Sequence, residues 1–314
     1  MTYRSTFIYL LVVILFLGFY LFETRREKKQ EHAEEATKTL FPFQPEELTR
    51  IAFLKDDREI VVEKSDGEWE ITAPLHAPID PFALSRVKNT LGVLQYLRII
   101  SKDPEDLSEF GLDPPSFVLS YRAGDEEDSL AFGHKSPVED GFYARKGTGK
   151  TVYLIWRPDK DDLEKTLLDL RNKGLFTIGS DQVERLVIER SGRPWTLHRI
   201  EGKWLLLGHE NVPINQEKID HILSITLTAE ALSFVQEEAD DLAPYGLDSP
   251  EARVVVSGDD RTEEILYGAH SEESAVYAMI GGKPQVLKVP KRLLVDLPET
   301  MEDLKTYEKR KPEP

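Results

Sequence analysis

The chain has 314 residues, a formal net charge of −17 and no cysteine. This length exceeds the size at which a single hydrophobic core usually stops growing, so two domains are expected. The negative charge argues against nucleic acid as a partner, because an acidic surface repels phosphate groups. The lack of cysteine excludes disulfides, thiol nucleophiles and Cys-ligated zinc, and it leaves the cellular compartment open.

Residues 6–22 form an almost uninterrupted apolar run. With Tyr3 as a flank, the run reaches about 20 residues, or roughly 30 Å as a helix, which matches the thickness of a bilayer core. A cleaved signal peptide is the alternative, but no small-residue cleavage site follows the run. The sequence therefore predicts a transmembrane anchor over residues 1–22 and a charged helical stalk over residues 23–47.

From residue 48 onward, short runs of alternating or β-branched residues predict antiparallel strands joined by hairpins. The runs in the first half of the chain are 50–54, 59–64, 68–72, 117–121, 129–132, 142–145 and 152–156. Two helices accompany them: Asp80 and Pro81 begin the first, and residues 158–170 form the second. The predicted fold class is α+β, in which each domain has an antiparallel sheet with one or two packed helices.

One phrase occurs twice and indicates an internal duplication. Residues 106–115, DLSEFGLDPP, return as residues 241–250, DLAPYGLDSP, at a displacement of 135 residues. With the tryptophans Trp69 and Trp204, which are paired at the same displacement, the repeat signature comprises Trp69, Gly111, Leu112, Asp113 and Pro115 in the first copy and Trp204, Gly246, Leu247, Asp248 and Pro250 in the second. Self-similarity at a fixed period indicates one structural unit built twice. The sequence therefore predicts tandem domains over residues 48–180 and 181–300, followed by a charged tail over residues 301–314.

The repeat signature has a structural interpretation. Residues 106–110 are long enough for one helical turn, and Gly111 and Gly246 supply the positive φ that a C-terminal cap requires. Asp113 stands before proline and starts a turn into the next strand. The other interpretation makes Asp113 and Asp248 a catalytic pair or metal ligands. It is the weaker one, because cap and turn chemistry already accounts for each residue type.

No motif in the chain specifies a chemistry. Residues 144–151 fit a relaxed phosphate-loop pattern, but a strand is predicted after them instead of the required helix, so no nucleotide is expected. The seven histidines, including His134 and His270, lack the spacing of a metal site, and the acidic runs lack the pattern of a calcium loop. Nucleophile signatures are absent as well. The sequence therefore predicts no catalytic residue, no cofactor and no metal, and it predicts Trp69 and Trp204 in the core.

Three features of the chain are typical of a known family. They are the apolar N-terminal run, the Gly-x-Trp strand followed by a capped helix, and the Phe/Tyr-Gly-Leu-Asp-x-Pro phrase. In these features the chain resembles the bacterial family called domain of unknown function 4340. The resemblance covers residues 48–297, in two copies. Proteins of that family resemble accessory components encoded with gliding-motility-type ABC transporter subunits, which implies an extracytoplasmic role in the cell envelope. The resemblance supplies no catalytic residues.

The resulting hypothesis is a non-enzymatic, membrane-anchored accessory or scaffold protein of the bacterial cell envelope. Its partner would be a protein of an ABC-type transport complex. The alternative is an extracytoplasmic ligand-binding protein or an envelope enzyme that uses the cleft between the two copies, because ligand sites often lie between domains.

The chain is expected in the bacterial cytoplasmic membrane, which it would cross once. Two arguments conflict on which side of the membrane the domains lie. Four basic residues follow the apolar run at positions 25, 26, 28 and 29, so the positive-inside rule alone would keep the domains in the cytoplasm. The family resemblance places them outside. We expect the domains outside, because long domains can cross the membrane with little regard to charge.

Overall fold

An antiparallel sheet organises each half of the chain. The computed structural model describes residues 38–272 and 274–305. The chain divides into two units, the first ending at Asn172 and the second beginning at Lys173. We name them copy 1 and copy 2. Each has its own sheet and its own hydrophobic core, so the tandem duplication predicted from the repeated phrase is confirmed.

Copy 1 contains a nine-stranded sheet. Its strands are β1 (Leu48–Lys55), β2 (Arg58–Ser65), β3 (Glu68–Ala73), β4 (Ala77–Pro78), β5 (Tyr96–Ser101), β6 (Phe117–Ala123), β7 (Glu126–Lys135), β8 (Gly141–Lys146) and β9 (Val152–Trp156). Their order across the sheet is β4-β3-β2-β1-β6-β7-β8-β9-β5. The helices are α1 (Pro81–Val93), α2 (Arg157–Leu163) and α3 (Leu167–Leu170), and short 3₁₀ turns occupy Pro45–Glu47 and Ser108–Phe110.

Copy 2 repeats this topology in an eight-stranded sheet. Its strands are β10 (Arg185–Arg190), β11 (Arg193–Ile200), β12 (Lys203–Leu206), β13 (Ser233–Gln236), β14 (Ala252–Gly258), β15 (Arg261–Glu272), β16 (Ala275–Ile280) and β17 (Val286–Pro290). Their order is β12-β11-β10-β14-β15-β16-β17-β13, which matches copy 1 without β4. The helices are α4 (Gln216–Leu227) and α5 (Arg292–Val295), and 3₁₀ turns occupy Ala243–Tyr245 and Met301–Leu304.

The alternation of side chains along the strands decides which face of each sheet is buried. On β6, Phe117, Leu119 and Tyr121 point into the core of copy 1, and the residues between them face the other way. On β14, Val254 and Val256 do the same for copy 2. The longest helix of each copy contributes its apolar stripe to the core of that copy.

The start of this helix is encoded in the same way in both copies. In α1, Oδ1 of Asp80 accepts a hydrogen bond from the backbone N–H of Phe82 at 2.8 Å, as the sequence predicts. In α4, Oδ1 of Asn215 accepts one from the N–H of Lys218 at 3.1 Å. Both helices then direct a stripe of apolar residues toward the sheet, namely Leu84, Val87 and Leu91 in α1 and Ile219, Ile222 and Leu223 in α4.

The predicted fold class is wrong. The described residues are mostly antiparallel sheet, and the two longest helices, α1 and α4, have only 13 and 12 residues. The helix predicted over residues 158–170 is also shorter than expected, because α2 already ends at Leu163. The predicted transmembrane helix is not supported either. Among the described residues, none of the helices has both the length and the apolar character needed to cross a bilayer. The predicted span at residues 6–22 lies outside the described residues.

Residues 40–43, which the sequence assigns to a stalk, pack into the core of copy 1. The Phe41 side chain is fully buried, and its ring meets the ring of Tyr121 edge-on at 5.0 Å between centroids. The ammonium group of Lys146 donates to the carbonyl oxygen of Leu40 at 2.8 Å. These contacts make the segment part of the folded domain, because removing apolar side chains from water is favourable.

Candidate functional site

The repeated phrase forms the same turn in both copies. In copy 1, the carbonyl oxygen of Leu107 accepts hydrogen bonds from the N–H groups of Phe110 and Leu112, and Gly111 has a φ of 67°. In copy 2, the carbonyl oxygen of Leu242 plays this part, and Gly246 has a φ of 65°. The prediction that both glycines adopt positive φ is confirmed.

Each turn rests directly on a strand of its sheet at a second pair of glycines. A Cβ atom at Gly133 in β7 would lie 2.1 Å from the carbonyl oxygen of Phe110, and one at Gly268 in β15 would lie 2.2 Å from that of Tyr245. Only glycine permits such a close approach of two backbones. The aromatic residue of each turn then packs edge-on against a tyrosine, with 5.1 Å between ring centroids in both copies.

The glycines and leucines of the repeat signature serve the fold. Leu112 and Leu247 are buried, Pro115 pairs with Leu112 across a short bridge, and Asp113, Asp248 and Pro250 are exposed. Trp204 is buried and its indole N–H donates to Asp220 at 3.0 Å, whereas Trp69 is only half-buried, with the ammonium group of Lys88 5.5 Å from its ring centroid. None of these residues belongs to a cluster of three or more His, Cys, Asp or Glu groups suited to a metal, in the part of the chain that the structure describes.

The phosphate-loop-like segment and the histidines also have ordinary surroundings. Strand β9 begins at Val152, directly after residues 144–151, so the helix that a phosphate loop needs does not follow. The side chain of His134 lies against Gly111, at the place that Ala269 takes in copy 2. His270 lies 3.8 Å from Glu251. His134 and His270 therefore do not occupy equivalent positions, although both follow the paired glycines closely in sequence.

A groove of about 730 Å³ opens in copy 1 where the turn between β1 and β2 faces the segment around α3. Phe53, Ile60, Pro74 and Leu168 supply its apolar lining. Thr166 supplies a hydroxyl group, but this group already donates to Oδ2 of Asp169 at 2.6 Å as part of a capping box. The groove can therefore accept apolar groups, and the hydroxyl that lines it is committed to starting α3.

Charged groups beside this groove form a compact cluster. The carboxylate of Glu164 binds the ammonium groups of Lys160 and Lys55, the latter at 2.7 Å, and Lys160 is buried below the ring of Phe142. Burial by itself would raise the pKa of Glu164, but the hydrogen bonds from the two lysines outweigh it and hold the pKa below its usual value. The cluster joins the end of β1 to α2 and thus stabilises the fold.

Copy 2 makes the equivalent connection with different residues. Arg190 stands where copy 1 has Lys55, and its guanidinium group donates to the carbonyl oxygen of Leu297 and binds the carboxylate of Glu299, both at 2.9 Å. A hollow of about 350 Å³ lies beside it. In both copies, then, a basic residue at the end of the first strand ties that strand to the residues just after the helix that follows the last hairpin strand, α2 in copy 1 and α5 in copy 2.

Sequence reasoning missed one surface, the outer face of the β11–β12 hairpin. Ile200 and Leu207 are 54% and 59% exposed there, and with Leu205, His198 and Glu210 they line a hollow of about 220 Å³. The signal that could have found this surface is the comparison of the two copies at a displacement of 135 residues. At the places of Ile200, Leu207, Leu205 and His198, copy 1 has Ser65, Thr72, Glu70 and Glu63, respectively.

Comparison with known families agrees with the duplication. A family model described as "Domain of unknown function (DUF4340)" matches residues 69–206 and matches again over residues 204–307. Each match begins at one of the paired tryptophans, Trp69 and Trp204. No curated protein and no solved structure matches the chain.

Proposed function

We propose a function for this chain from its family: it belongs to the family described as domain of unknown function DUF4340. The proposed role is that of a non-enzymatic accessory or scaffold protein. Its partner is a protein of an ABC-type transport complex in the bacterial cell envelope. The resemblance of the family to accessory components encoded with such transporters supports this partner class. The activity itself is binding, by surfaces that the two copies present.

The observation that carries the proposal is that the two copies share the residues that form their turns and differ in the side chains that they present to solvent. The shared glycines are used in caps and close backbone contacts: Gly111 and Gly246 end the repeated turns, and those turns rest on Gly133 in β7 and Gly268 in β15. The exposed faces differ between the copies, most clearly at Glu70 and its equivalent Leu205. A catalytic site built on the duplication would be expected to place reactive groups among the shared residues, whereas binding uses the surfaces that diverged.

The test is capture of partners by crosslinking in intact cells, using the full-length chain with an affinity tag. An unrelated tagged protein of similar negative charge serves as the control, because it reports non-specific electrostatic capture. We expect one or a few proteins of an ABC-type transport complex to be enriched with the chain over the control. Recovery of no such protein above the control would refute the proposal.

The proposed location of both copies is outside the cytoplasm. Protease added to intact spheroplasts that carry the full-length chain measures it directly. We expect copy 1 and copy 2 to be digested before lysis, while a cytoplasmic marker protein stays intact. If both copies stay intact until the cells are lysed, they lie in the cytoplasm and the envelope role is excluded.

A further inference from the structure

A row of residues across three strands differs between the two copies, although the strands pair in the same register. In copy 1, Arg50 on β1 lies opposite Glu63 on β2, which lies opposite Glu70 on β3. Nε of Arg50 donates to Oε1 of Glu63 at 3.1 Å, and the hydroxyl of Thr72 donates to Oε2 of the same carboxylate at 3.4 Å. The arginine of copy 1 is therefore neutralised within its own sheet.

In copy 2 the same row lacks the carboxylate. Arg185 on β10 lies opposite His198 on β11, which lies opposite Leu205 on β12. Leu207 stands where copy 1 has the hydroxyl of Thr72. The guanidinium group of Arg185 is exposed and has no hydrogen-bond or ion-pair partner among the residues that the structure describes. Within the described structure, an arginine that is not paired with a carboxylate thus stands beside an exposed apolar patch.

The fold does not require these apolar residues. Copy 1 builds the same hairpin with Ser65, Glu70 and Thr72 in place of Ile200, Leu205 and Leu207. The inward face of β12 is independent of them, because Trp204 and Leu206 on that side pack into the core. Exposed apolar side chains that are not needed for folding mark a contact surface when they are grouped and bordered by polar residues.

The outer edge of β12 is closed to strand addition. The side-chain oxygen of Gln216 accepts from the backbone N–H of Trp204 at 2.7 Å, and its side-chain nitrogen donates to the carbonyl oxygen of Trp204 at 2.9 Å. The carbonyl oxygen of Leu206 accepts from the N–H of His209 at 3.0 Å. A partner would therefore contact the face of the hairpin through side chains and would not extend the sheet.

We propose that the copy 2 hairpin face, formed by Arg185, His198, Ile200, Leu205 and Leu207, docks a protein surface that presents apolar side chains beside a carboxylate. The apolar side chains cover Ile200 and Leu207, and the carboxylate supplies Arg185 with the ion pair that Glu63 gives to Arg50 in copy 1. This inference rests on the proposed function and names the surface on which the partner is bound.

Two other occupants fit the charges less well. An anionic membrane surface would be repelled by a chain with a formal net charge of −17. A second copy of this chain, placed on the same face across a twofold axis, would bring two Arg185 side chains together, and the carboxylate that lines this hollow, Glu210, already accepts a hydrogen bond from the N–H of Gly208 at 2.8 Å. A protein that carries an acidic group next to its apolar contact residues satisfies both halves of the face.

The test is site-specific photo-crosslinking with p-benzoylphenylalanine in the full-length chain in its native cells. Lys203 begins β12 and Glu68 begins β3, and both are exposed at equivalent positions, so probes placed there form a matched pair. We expect an adduct with one protein at position 203 and not at position 68. The crosslinked peptide of that protein should contain apolar residues next to Asp or Glu.

Two variants test the chemistry of the face. The double variant Ile200→Ser, Leu207→Thr installs the residues that copy 1 tolerates, and it should lower the adduct yield at position 203 by about tenfold or more, because the apolar contact is lost. Arg185→Gln should also lower the adduct yield at position 203, and the yield that remains should no longer depend on the salt concentration. Circular dichroism melts of both variants are expected to match the parent, which separates loss of contact from loss of folding.

Several results would overturn the inference. They are an equal adduct at positions 68 and 203, an adduct consisting of two copies of this chain, a yield unchanged in both variants, or binding of the parent but not the double variant to vesicles of phosphatidylethanolamine and phosphatidylglycerol. Failure here is distinct from failure of the proposed function. If tagged full-length chain with the double variant still captures the transport-complex protein, the proposed function stands and the assignment of the face is wrong.

Discussion

Copy 1 and copy 2 share their backbone and differ in what they present to solvent. The strand order, the helix caps at Asp80 and Asn215, and the turns at Gly111 and Gly246 are the same. The outer face of the β2–β3 hairpin in copy 1 carries Glu63, paired with Arg50, whereas the equivalent face of the β11–β12 hairpin in copy 2 exposes Ile200 and Leu207. The comparison teaches that the constraints on this fold are mostly backbone constraints, since backbone geometry has few alternative solutions whereas an exposed side chain has many.

The cores of the two copies differ as well, within a fixed shape. Phe132 of copy 1 stacks on Phe117 with 5.8 Å between ring centroids, and copy 2 has Tyr267 and Ala252 at these places. Tyr267 is fully buried, and its hydroxyl has no hydrogen-bond partner in the described structure. Burial raises the pKa of this hydroxyl, because a phenolate would be poorly solvated there.

The strongest way to break the shared backbone is to add a methyl group where the repeated turn meets its strand. Gly133→Ala and Gly268→Ala each place a Cβ atom within 2.2 Å of a carbonyl oxygen, so the turn has to move. We expect each to destabilise its own copy by about 3 kcal/mol. Hydrogen exchange resolved by peptide measures the two copies separately.

Gly192→Ala is the matched control for this pair, because its Cβ atom would meet nothing within 4 Å. It should cost only about 1 kcal/mol, from its positive φ. Equal effects of Gly192→Ala and Gly268→Ala would contradict the close-contact argument.

The next largest effect is expected from valine at the turn glycines. Gly111→Val and Gly246→Val should each cost about 2 kcal/mol, because a side chain with positive φ is strained. Gly246→Val should be the more severe, since its Cβ atom would lie 2.8 Å from the backbone nitrogen of Ala269, whereas Gly111 faces the movable ring of His134.

Denaturant melts of the single variants, and of Gly111→Val combined with His134→Ala, measure this difference. The second change should restore part of the stability in copy 1. Stability of Gly111→Val equal to that of the parent would show that the cap is not needed.

The ion pairs that close the two copies should differ in strength. Glu164→Gln in copy 1 should cost about 1–2 kcal/mol at neutral pH, because it leaves the buried Lys160 without its carboxylate. Glu299→Gln in copy 2 should cost less, because Glu299 is 62% exposed and exposed ion pairs contribute little.

The pH dependence of Glu164→Gln follows from the direction of the pKa shift. The pKa of Glu164 in the folded protein lies below its usual value of 4.5. The stability that its ionised carboxylate contributes is therefore complete above pH 4.5 and is lost as the pH falls through the folded pKa. Urea melts from pH 7 to acid should therefore show the difference between parent and variant shrinking below about pH 4. A difference that stays constant over this range would argue against the ion pair.

The smallest effect is expected from removing the buried hydroxyl of copy 2. Tyr267→Phe should stabilise the protein by about 1 kcal/mol, because it deletes a polar group that has no partner among the described residues and installs the residue type of copy 1. Phe132→Tyr is the reverse change in copy 1 and should destabilise it. Thermal melts of the two variants compare them directly. A destabilised Tyr267→Phe would mean that the hydroxyl is satisfied after all.

The sequence by itself determined the features that depend on local geometry. A repeat at 135 residues, strands of alternating residues, helix caps at Asp80 and Asn215 and positive φ at Gly111 and Gly246 follow from chain periodicity and backbone sterics over a few residues. The sequence does not determine the balance of sheet over helix, because the segment 158–170 has helical spacing yet its second half forms only the short helix α3.

Only the tertiary structure decided which distant residues meet. The repeated turn settles on Gly133 or Gly268, Phe41 enters the core beside Tyr121, and Arg185 finds no carboxylate among the described residues although its equivalent Arg50 does. Each of these outcomes depends on strand register and on which face of a strand a side chain occupies. A shift of one residue in pairing would reverse those faces, and that pairing is set by the whole sheet and not by any local stretch.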